Sequence, residues 1–241
     1  NTVTVKRGGI FYIQDNQGTA PFGYIANRLG SEGARPALTL DGGSFTVNGP
    51  NYANLQSTQT VGQVTLASGA SVITVVRGST TSTPKLIGGS LAVTPGAYAQ
   101  FVGTTPGAAA LNVSQIYFTT EPSTVGGGGD DASPTKSIVP ATRIGNDFVT
   151  YGLYGIRALA TSEYTATADI NMAGNTDNVK FSSGALSALA GNKTVNSLAI
   201  LGGTSPWNMG AGNTLTLTSG KLLSTPSLTM AQGAVTAGAG S

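Results

Sequence analysis

The stretch VTLASGASVITV, residues 64–75, contains two runs of alternating apolar and polar residues joined by a short break. In the first run Val64 and Leu66 flank Thr65. A strand has a side-chain period of two, so both apolar residues point to one face and the threonine to the other. Gly69 follows three residues after Leu66, and glycine adopts the positive φ that a chain needs at a tight corner. The stretch therefore predicts a strand, a corner and a second strand.

The same frame, (Leu/Val)-Thr-(Leu/Met)-x-x-Gly, occurs four times, starting at Leu38, Val64, Leu215 and Leu228. The first two copies are 26 residues apart and the last two are 13 residues apart. Self-similarity of this kind is typical of a solenoid, in which each coil buries its inward residues only against its neighbours. A β-sandwich is the alternative, with strands at a spacing of about 8–12 residues. We favour the solenoid, because a sandwich does not need the same corner glycine in every unit.

Other short alternating runs extend this rhythm along the chain. Residues 183–191, SGALSALAG, are the nearest approach to a helical pattern and predict at most one short turn. The remaining predicted strands lie at residues 8–14, 38–40, 45–47, 64–66, 72–76, 91–93, 98–102 and 111–118.

The composition excludes several classes of protein. Only 9% of the residues are charged and 35 of the 241 are glycine, which fits many short strands joined by tight turns. No apolar run reaches the roughly 20 residues of a membrane-spanning helix, and the β-branched residues argue against disorder. The net charge is +2 and Lys6-Arg7 is the single adjacent basic pair, so we expect no nucleic-acid partner.

Cysteine and histidine are both absent. Disulfides, thiolate nucleophiles, cysteine-based metal sites and histidine acid–base catalysis are therefore excluded. The chain begins at Asn1 without an initiator Met, and we expect either a removed leader or a piece of a longer protein.

The carboxylates give no catalytic pattern. Asp130-Asp131 follows the glycines 126–129 and could supply Ca²⁺ ligands, but the alternating Asp positions and closing Glu of a calcium loop are missing, which favours a solvated loop. A glycosidase needs two carboxylates about 5–10 Å apart. We expect no enzyme, no cofactor and no metal, because the other acidic residues are few and dispersed: Asp15, Glu32, Asp41, Glu121, Asp147, Glu163, Asp169 and Asp177.

Aromatic residues form two groups in the sequence, and we expect a different role for each. Phe11, Tyr12, Phe22 and Tyr24 either cover an open end of the solenoid or dock on a partner, and we favour the cover. Tyr151, Tyr154 and Tyr164 beside Phe148 are expected to pack an excursion against the coils. Trp207, in TSPWNMG, predicts a corner or a small docking point. The glycosylation sequons at Asn112 and Asn192 are expected to be chance matches.

Several longer phrases resemble the bacterial proteins that carry autotransporter-associated β-strand repeats. They are LTLDGGSFTVNG from Leu38, QTVGQVTLASGASVITV from Gln59, VNSLAILGG from Val195 and GAGNTLTLTSGKLLS from Gly210, with IVPATRIGNDFVTYG, GIRAL and TDNVKF in the middle of the chain. The resemblance covers about residues 36–241. It implies a right-handed parallel β-helix that is exported to or beyond the cell surface, and it implies no catalytic residues.

The sequence thus predicts an all-β protein in four segments. Residues 1–35 form an irregular N-terminal cap or docking segment, 36–120 form coils, 121–168 form a loop-rich excursion, and 169–241 form further coils with an uncapped end. We expect a structural protein of extracellular fibres, sheaths or surface material whose main partner is a copy of itself. The alternatives are a carbohydrate-binding or carbohydrate-cleaving β-helix, with surface glycans as partner, and an adhesin passenger fragment.

Overall fold

The computed structural model describes residues 1–15, 25–30, 33–52, 54–167, 169–184, 186–203, 206–225 and 229–238. Over these residues the protein is all-β, with two short 3-10 helices at Thr161–Glu163 and Ile170–Met172. The prediction of an all-β fold is confirmed. The chain forms two compact units: unit 1 comprises residues 1–123, 141–145 and 151–158, and unit 2 comprises residues 124–140, 146–150 and 159–241.

The strands of unit 1 are short and follow one another closely. In chain order they are β1 (Thr2–Lys6), β2 (Ile10–Gln14), β3 (Ala37–Asp41), β4 (Ser44–Asn48), β5 (Gln56–Thr60), β6 (Val64–Ser68), β7 (Ala70–Val76), β8 (Thr83–Gly88), β9 (Leu91–Val93), β10 (Tyr98–Gly103), β11 (Gln115–Phe118), β12 (Thr142–Ile144), β13 (Asp147–Gly152, of which residues 147–150 belong to unit 2) and β14 (Gly155–Ala158).

These strands form three sheets. Sheet A has the order β1-β3-β6-β9, sheet B has the order β2-β4-β7-β10-β12 and continues through β13 to β14, and sheet C has the order β5-β8-β11. Every pair within sheets A and C is parallel, and so is every pair from β2 to β12 in sheet B. From β3 to β11 the chain supplies one strand to each sheet in turn.

The register of sheet A stacks the repeated frame on itself. Leu38 is the partner of Val64 and Leu40 is the partner of Leu66, and all four side chains are buried. Thr39 is the partner of Thr65, and both side chains point to the other face of the sheet. The predicted inward-facing apolar positions are therefore confirmed, and the register places the first two copies of the frame side by side in one sheet.

An apolar column runs through sheet B from strand to strand. Phe11 pairs with Phe45, Phe45 with Ile73, Ile73 with Phe101, and Phe101 with Ile144. Phe45, Ile73 and Phe101 are each 0% exposed, and the rings of Phe11 and Phe45 stack with centroids 5.9 Å apart. Each layer buries apolar area on the layer before it, which is the principal favourable term in folding.

The corner glycines are more varied than the frame predicts. Gly69 and Gly220 have positive φ as expected, at 58° and 65°. In the copy at Leu38, however, the positive φ belongs to Gly42, one residue before the frame glycine, and in the last copy it belongs to Gln232. Gly43 instead allows its backbone to lie close to the backbone of Val5, because a Cβ on Gly43 would lie 2.6 Å from the carbonyl oxygen of Val5.

Among the first eleven strands, sequence patterning missed β1, β5 and β8. The sequence of β5, QSTQT, is entirely polar, yet Ser57 and Gln59 point inward and are buried. Residues 111–114, predicted as the start of a strand, precede β11 and are not part of it. The described residues within 183–191 contain no helix, although this stretch is the nearest approach to a helical pattern in the sequence.

Unit 2 contains one larger parallel sheet, of order β15-β16-β17-β18-β19. Its strands are β15 (Thr165–Ala166), β16 (Asn178–Phe181), β17 (Lys193–Ile200), β18 (Trp207–Ser224) and β19 (Met230–Ala237). Leu215 and Leu217 are buried in an apolar cluster with Val195, Leu198 and Ile200.

The spacing of 13 residues between the last two frames is not a stacking register. Leu215 pairs with Val235, and Met230 pairs with Trp207. Leu228, the first residue of the fourth frame, lies outside the described residues. The spacing that stacks β19 on β18 is therefore longer than the recurrence of the frame.

The segment predicted as a loop-rich excursion, residues 121–168, contains the strands β12 to β15 and an isolated antiparallel bridge between Val125 and Ile138. Phe148 and Tyr164 pack together in unit 2 with ring centroids 6.3 Å apart. The segment predicted as a cap, residues 1–35, contributes the edge strands β1 and β2. Its role as a cap or docking segment stays a prediction.

Candidate functional site

The acidic residue Asp15 serves the fold of unit 1. It is 1% exposed, its Oδ1 lies 2.8 Å from Nε of Arg28, and its Oδ2 accepts a hydrogen bond of 2.8 Å from Gln59. Burial raises the pKa of Asp15, and the bonds from Gln59 and Arg28 oppose that rise. The inward-facing Gln59 of β5 is thus the partner of a buried carboxylate, which explains a polar side chain inside the sheet.

A second carboxylate, Asp147, lies in an ion pair of unit 2. Its Oδ1 is 2.6 Å from Nζ of Lys180, and that ammonium lies 4.8 Å from the centroid of the Tyr164 ring. Tyr164 is buried, and burial followed by the charge of Asp147 raises its pKa. The hydroxyl of Tyr164 accepts a hydrogen bond from the backbone N–H of Phe148. These contacts hold Asp147, Lys180 and Tyr164 against one another.

Asp169 and Asp177 organise turns in unit 2. Asp169 accepts hydrogen bonds from the hydroxyl of Ser187 and from the backbone and side chain of Asn171, and these bonds lower its pKa. Asp177 accepts a hydrogen bond of 2.6 Å from the hydroxyl of Thr165. Both carboxylates therefore act as local caps and not as a pair.

The candidate calcium ligands, Asp130 and Asp131, lie in a turn of unit 2. The carboxylate of Asp131 lies 2.9 Å from the ammonium of Lys136. Over the described part of the chain, no three acidic residues come close enough to hold a metal ion together. Glu32 lies outside the described residues.

The free edge of β19 is a surface that could pair with a strand of another molecule. Among the described residues β19 pairs on one side only, with β18, so its other side carries backbone N–H and C=O groups without a strand partner. Its sequence, MAQGAVTA, contains no charged residue and no proline. Natural edge strands are usually protected by charge, proline or a bulge, and an edge without charge or proline pairs more readily with another strand. β19 has one irregularity, because its register against β18 shifts between Asn208 and Asn213 and Gln232 has a positive φ of 56°.

Unit 1 has comparable edges at β1 and β2. Within the described residues β1 pairs only with β3 and β2 pairs only with β4. Ile10 is 70% exposed and Tyr12 is 48% exposed, so β2 presents apolar surface beside its free backbone groups. Phe11 packs on Phe45 of the neighbouring strand, whereas Phe22 and Tyr24 lie outside the described residues, so the role of these aromatics as a cover stays a prediction.

A group of tyrosines in unit 1 combines Lys85 and Tyr117 from strands of sheet C with Tyr151 on β13 and Tyr154 in the turn after it. We call Lys85, Tyr117, Glu121, Tyr151 and Tyr154 the tyrosine patch. Nζ of Lys85 lies 4.0 Å from the centroid of the Tyr117 ring. The hydroxyl of Tyr151 donates to the carbonyl oxygen of Phe118 at 2.8 Å and accepts from its N–H at 2.9 Å. Tyr151 therefore satisfies the backbone of an edge strand and is fixed in place.

The members of the tyrosine patch influence one another electrostatically. Burial raises the pKa of Tyr117, and the neighbouring Tyr151 and Tyr154 raise it further. The pKa of Tyr151 is raised by burial and by the charge of Glu121. Sequence analysis grouped Tyr151 and Tyr154 with Phe148, but not with Tyr117 or Lys85, because those two residues come from strands far away in the chain.

Lys221 is an unusual cation in unit 2. Asn178, Ser197 and Lys221 are successive partners across β16, β17 and β18, and Ser197 donates a hydrogen bond of 2.7 Å to Asn178. Lys221 continues this polar column, yet no carboxylate or acceptor binds its ammonium among the described residues. Burial lowers the pKa of Lys221 from 10.5 to about 8.

We expect Lys221→Met to change how stability depends on pH. Between about pH 8 and 10.5 the unfolded chain binds a proton at Lys221 more readily than the folded chain does. The free energy of unfolding therefore rises with pH across this window, and the cost of burying the ammonium is fully present below it. The variant should be more stable than the parent at pH 7, and its free energy of unfolding should not show this rise between about pH 8 and 10.5.

The measurement is urea unfolding at several pH values from 7 to about 10.5. Lys6→Met, on an exposed edge strand of unit 1, controls for the loss of one positive charge. An unchanged pH slope in Lys221→Met would show that its ammonium is as well solvated in the folded protein as in the unfolded chain.

Trp207 is neither a corner nor a docking point. It is the first residue of β18, is 1% exposed, and donates its indole N–H to the carbonyl oxygen of Ser187 at 2.9 Å. The prediction from the turn-like residues around it is therefore wrong, because tertiary burial overrides local turn chemistry. In the sequons, Asn112 accepts a bond from Arg77 through its carbonyl oxygen, and Asn192 accepts one from the N–H of Thr214.

No described helix has the length and hydropathy that crossing a membrane requires. Comparison with protein-family models, with curated proteins and with solved structures finds no match for this chain.

Proposed function

We propose that this protein is an exported structural protein, a right-handed parallel β-helix whose copies join end to end through their free strand edges. The observation that carries the proposal is the uncharged, one-sided edge of β19. Within the described residues β1 and β2 are also edge strands, so one copy presents at least two different pairing surfaces.

The β-helix is supported by the order of the strands in unit 1. Successive strands enter sheets A, B and C in rotation, and partners in neighbouring layers, such as Leu38 and Val64, belong to consecutive rounds. Parallel strands in one sheet are joined by right-handed crossovers in about 98% of cases. The wholly parallel sheet of unit 2 is compatible with the same construction.

Self-association is supported by what the edge strands lack. In β19, Ala234 is exposed and Val235 turns toward the apolar cluster of unit 2. A second parallel strand would satisfy the free backbone groups of β19 and cover its exposed apolar side chains, including Met230 at 38% exposure. Contact between two different surfaces is head-to-tail, and it produces an open filament when the rotation between successive copies does not close a ring.

Export to the cell surface is supported by composition and by the resemblance to autotransporter-associated repeats. The chain has few charges and no cysteine, and its polar surface consists mainly of threonine, serine, asparagine and glutamine. A building role is also consistent with the carboxylates, of which Asp15, Asp147, Asp169 and Asp177 all hold local structure.

Two charge substitutions test the end-to-end contact. Ala234→Lys places an ammonium on the edge of β19, and Ile10→Lys places one on the edge of β2. Each should abolish filaments seen by negative-stain microscopy and reduce the sedimenting mass, because an edge lysine opposes strand pairing. Leu111→Lys, at a loop residue that is 63% exposed, adds the same charge away from the edges and should leave assembly unchanged.

Mixing the two variants gives a sharper test of direction. Ala234→Lys keeps a usable β2 edge and Ile10→Lys keeps a usable β19 edge, so an equimolar mixture should form dimers that cannot extend. Filaments that persist in both variants would overturn the proposal, as would a parent protein that stays monomeric at high concentration. A closed dimer lost only in Ala234→Lys would replace the open filament by a symmetric contact of β19 with itself.

A further inference from the structure

The tyrosine patch of unit 1 has no role in the proposed assembly. Its residues lie on β8, after and on β11, on β13 and in the turn after β13, whereas the proposed pairing uses the edge strands β19, β1 and β2. The hydroxyl of Tyr151 already satisfies the backbone of Phe118 on the edge strand β11. The exposed side chains of Tyr154 and Glu121, and not the backbone of β11, are therefore the groups available to a ligand.

The patch combines an exposed rim with a fixed base. Tyr154 is 36% exposed and the adjacent Leu153 is 84% exposed, so the turn between β13 and β14 projects apolar and aromatic surface into solvent. Tyr151 is held by two hydrogen bonds to Phe118. Gly155 brings the turn close to β11, because its Cα has no room for a side chain beside the carbonyl of Ile116. A rigid aromatic surface loses little conformational entropy when it binds.

The charges of the patch favour a neutral ligand. Lys85 supplies one positive charge and the exposed Glu121 supplies one negative charge, so the patch has no net charge. A phosphate-rich or strongly anionic ligand would need a cluster of cations, which is absent among these residues. The ammonium of Lys85 already lies over the Tyr117 ring, which leaves that face unavailable to a cationic ligand.

We infer that the tyrosine patch binds a neutral saccharide chain. An aromatic ring such as that of Tyr154 offers an apolar face to the C–H groups of a pyranose, and the ring edge and hydroxyl remain in water. Lys85 and Glu121 supply a donor and acceptors at the sides, where sugar hydroxyls lie. In such a site a small number of fixed polar groups orients the ligand and provides the specificity.

The inference stands apart from the proposed self-association. Saccharide binding would let the protein attach to a glycan surface, whether or not copies join end to end. The two failures are distinguishable, because saccharide binding is measurable on the Ala234→Lys variant that cannot assemble.

The experiment is calorimetric titration of the Ala234→Lys protein with neutral hexasaccharides, namely those of β-1,4-glucose, α-1,4-glucose and β-1,4-N-acetylglucosamine. We expect one of them to bind, and Tyr154→Ala to weaken that binding by about tenfold or more, the loss that follows from removing a stacking ring worth roughly 1.4 kcal/mol. An anionic hexagalacturonate should bind more weakly than the neutral chain.

Tyr98→Ala is the matched control, because Tyr98 lies on sheet B of the same unit and is 41% exposed. Circular dichroism of each variant checks that the fold is retained, and Tyr154 is exposed enough for the substitution to be tolerated. The inference would be overturned by three results: no binding of any neutral chain, equal weakening by Tyr98→Ala and Tyr154→Ala, or binding of the anionic chain alone.

Discussion

Phe45→Ala is expected to lower the free energy of unfolding by about 3–5 kcal/mol. Phe45 is 0% exposed, lies in β4 between β2 and β7, and contacts the layers on both sides through Phe11 and Ile73. Removing the ring leaves a cavity that neighbouring layers cannot fill, because each strand is held in register by its own backbone hydrogen bonds. Equilibrium unfolding in urea measures the loss.

Thr46→Ala is the matched control for this prediction. Thr46 is the next residue on the same strand, and its side chain points to the other face of the sheet. We expect a loss of less than about 1 kcal/mol, the range of strand propensity. Equal losses of stability in both variants would mean that Phe45 and Thr46 do not point to different faces of the sheet. Phe45 would then not belong to a buried apolar column.

Gly155→Ala is expected to destabilise the protein by about 2–5 kcal/mol. Gly155 has φ of +91°, where an L-residue is strained, and a Cβ there would lie 2.2 Å from the carbonyl oxygen of Ile116. That oxygen belongs to the backbone of β11 and cannot rotate away as a side chain can. The substitution must therefore push β14 from β11, and we expect a lower thermal midpoint.

Gly145→Ala separates backbone strain from this steric clash. Gly145 also has positive φ, at +55°, but a Cβ there meets nothing within 4 Å. The control should cost about 1–2 kcal/mol, the strain of the left-handed conformation alone. Equal losses at the two glycines would mean that β14 does not lie as close to β11 as the Ile116 contact requires.

The Gly155 substitution also bears on the saccharide site. Tyr117 follows Ile116 on β11, so displacing β14 should disturb the side of the patch that Tyr151 and Tyr154 form. A folded Gly155→Ala protein would then bind the neutral saccharide more weakly than Gly145→Ala.

The sequence by itself determined the class of the fold and the inner face of many strands. Val64, Leu66, Leu38 and Leu40 alternate with threonines, and alternation is a local property that fixes which side chains share a face. The frame marked Leu38 and Val64 as equivalent positions, and the register of β3 with β6 pairs them. The lack of histidine and cysteine needed no structure to exclude the chemistry of those residues.

Only the tertiary structure decided which polar residues lie inside and which distant residues meet. Gln59 of the polar strand β5 points inward because its side chain donates a hydrogen bond to the buried Asp15. Trp207 is buried with its indole N–H bonded to the carbonyl oxygen of Ser187. Lys85 and Tyr117 meet through the parallel pairing of β8 with β11, and Tyr151 reaches them across a further strand boundary. Such contacts depend on the register between strands, and register is set by packing and backbone pairing over long separations in the chain, which local patterns do not encode.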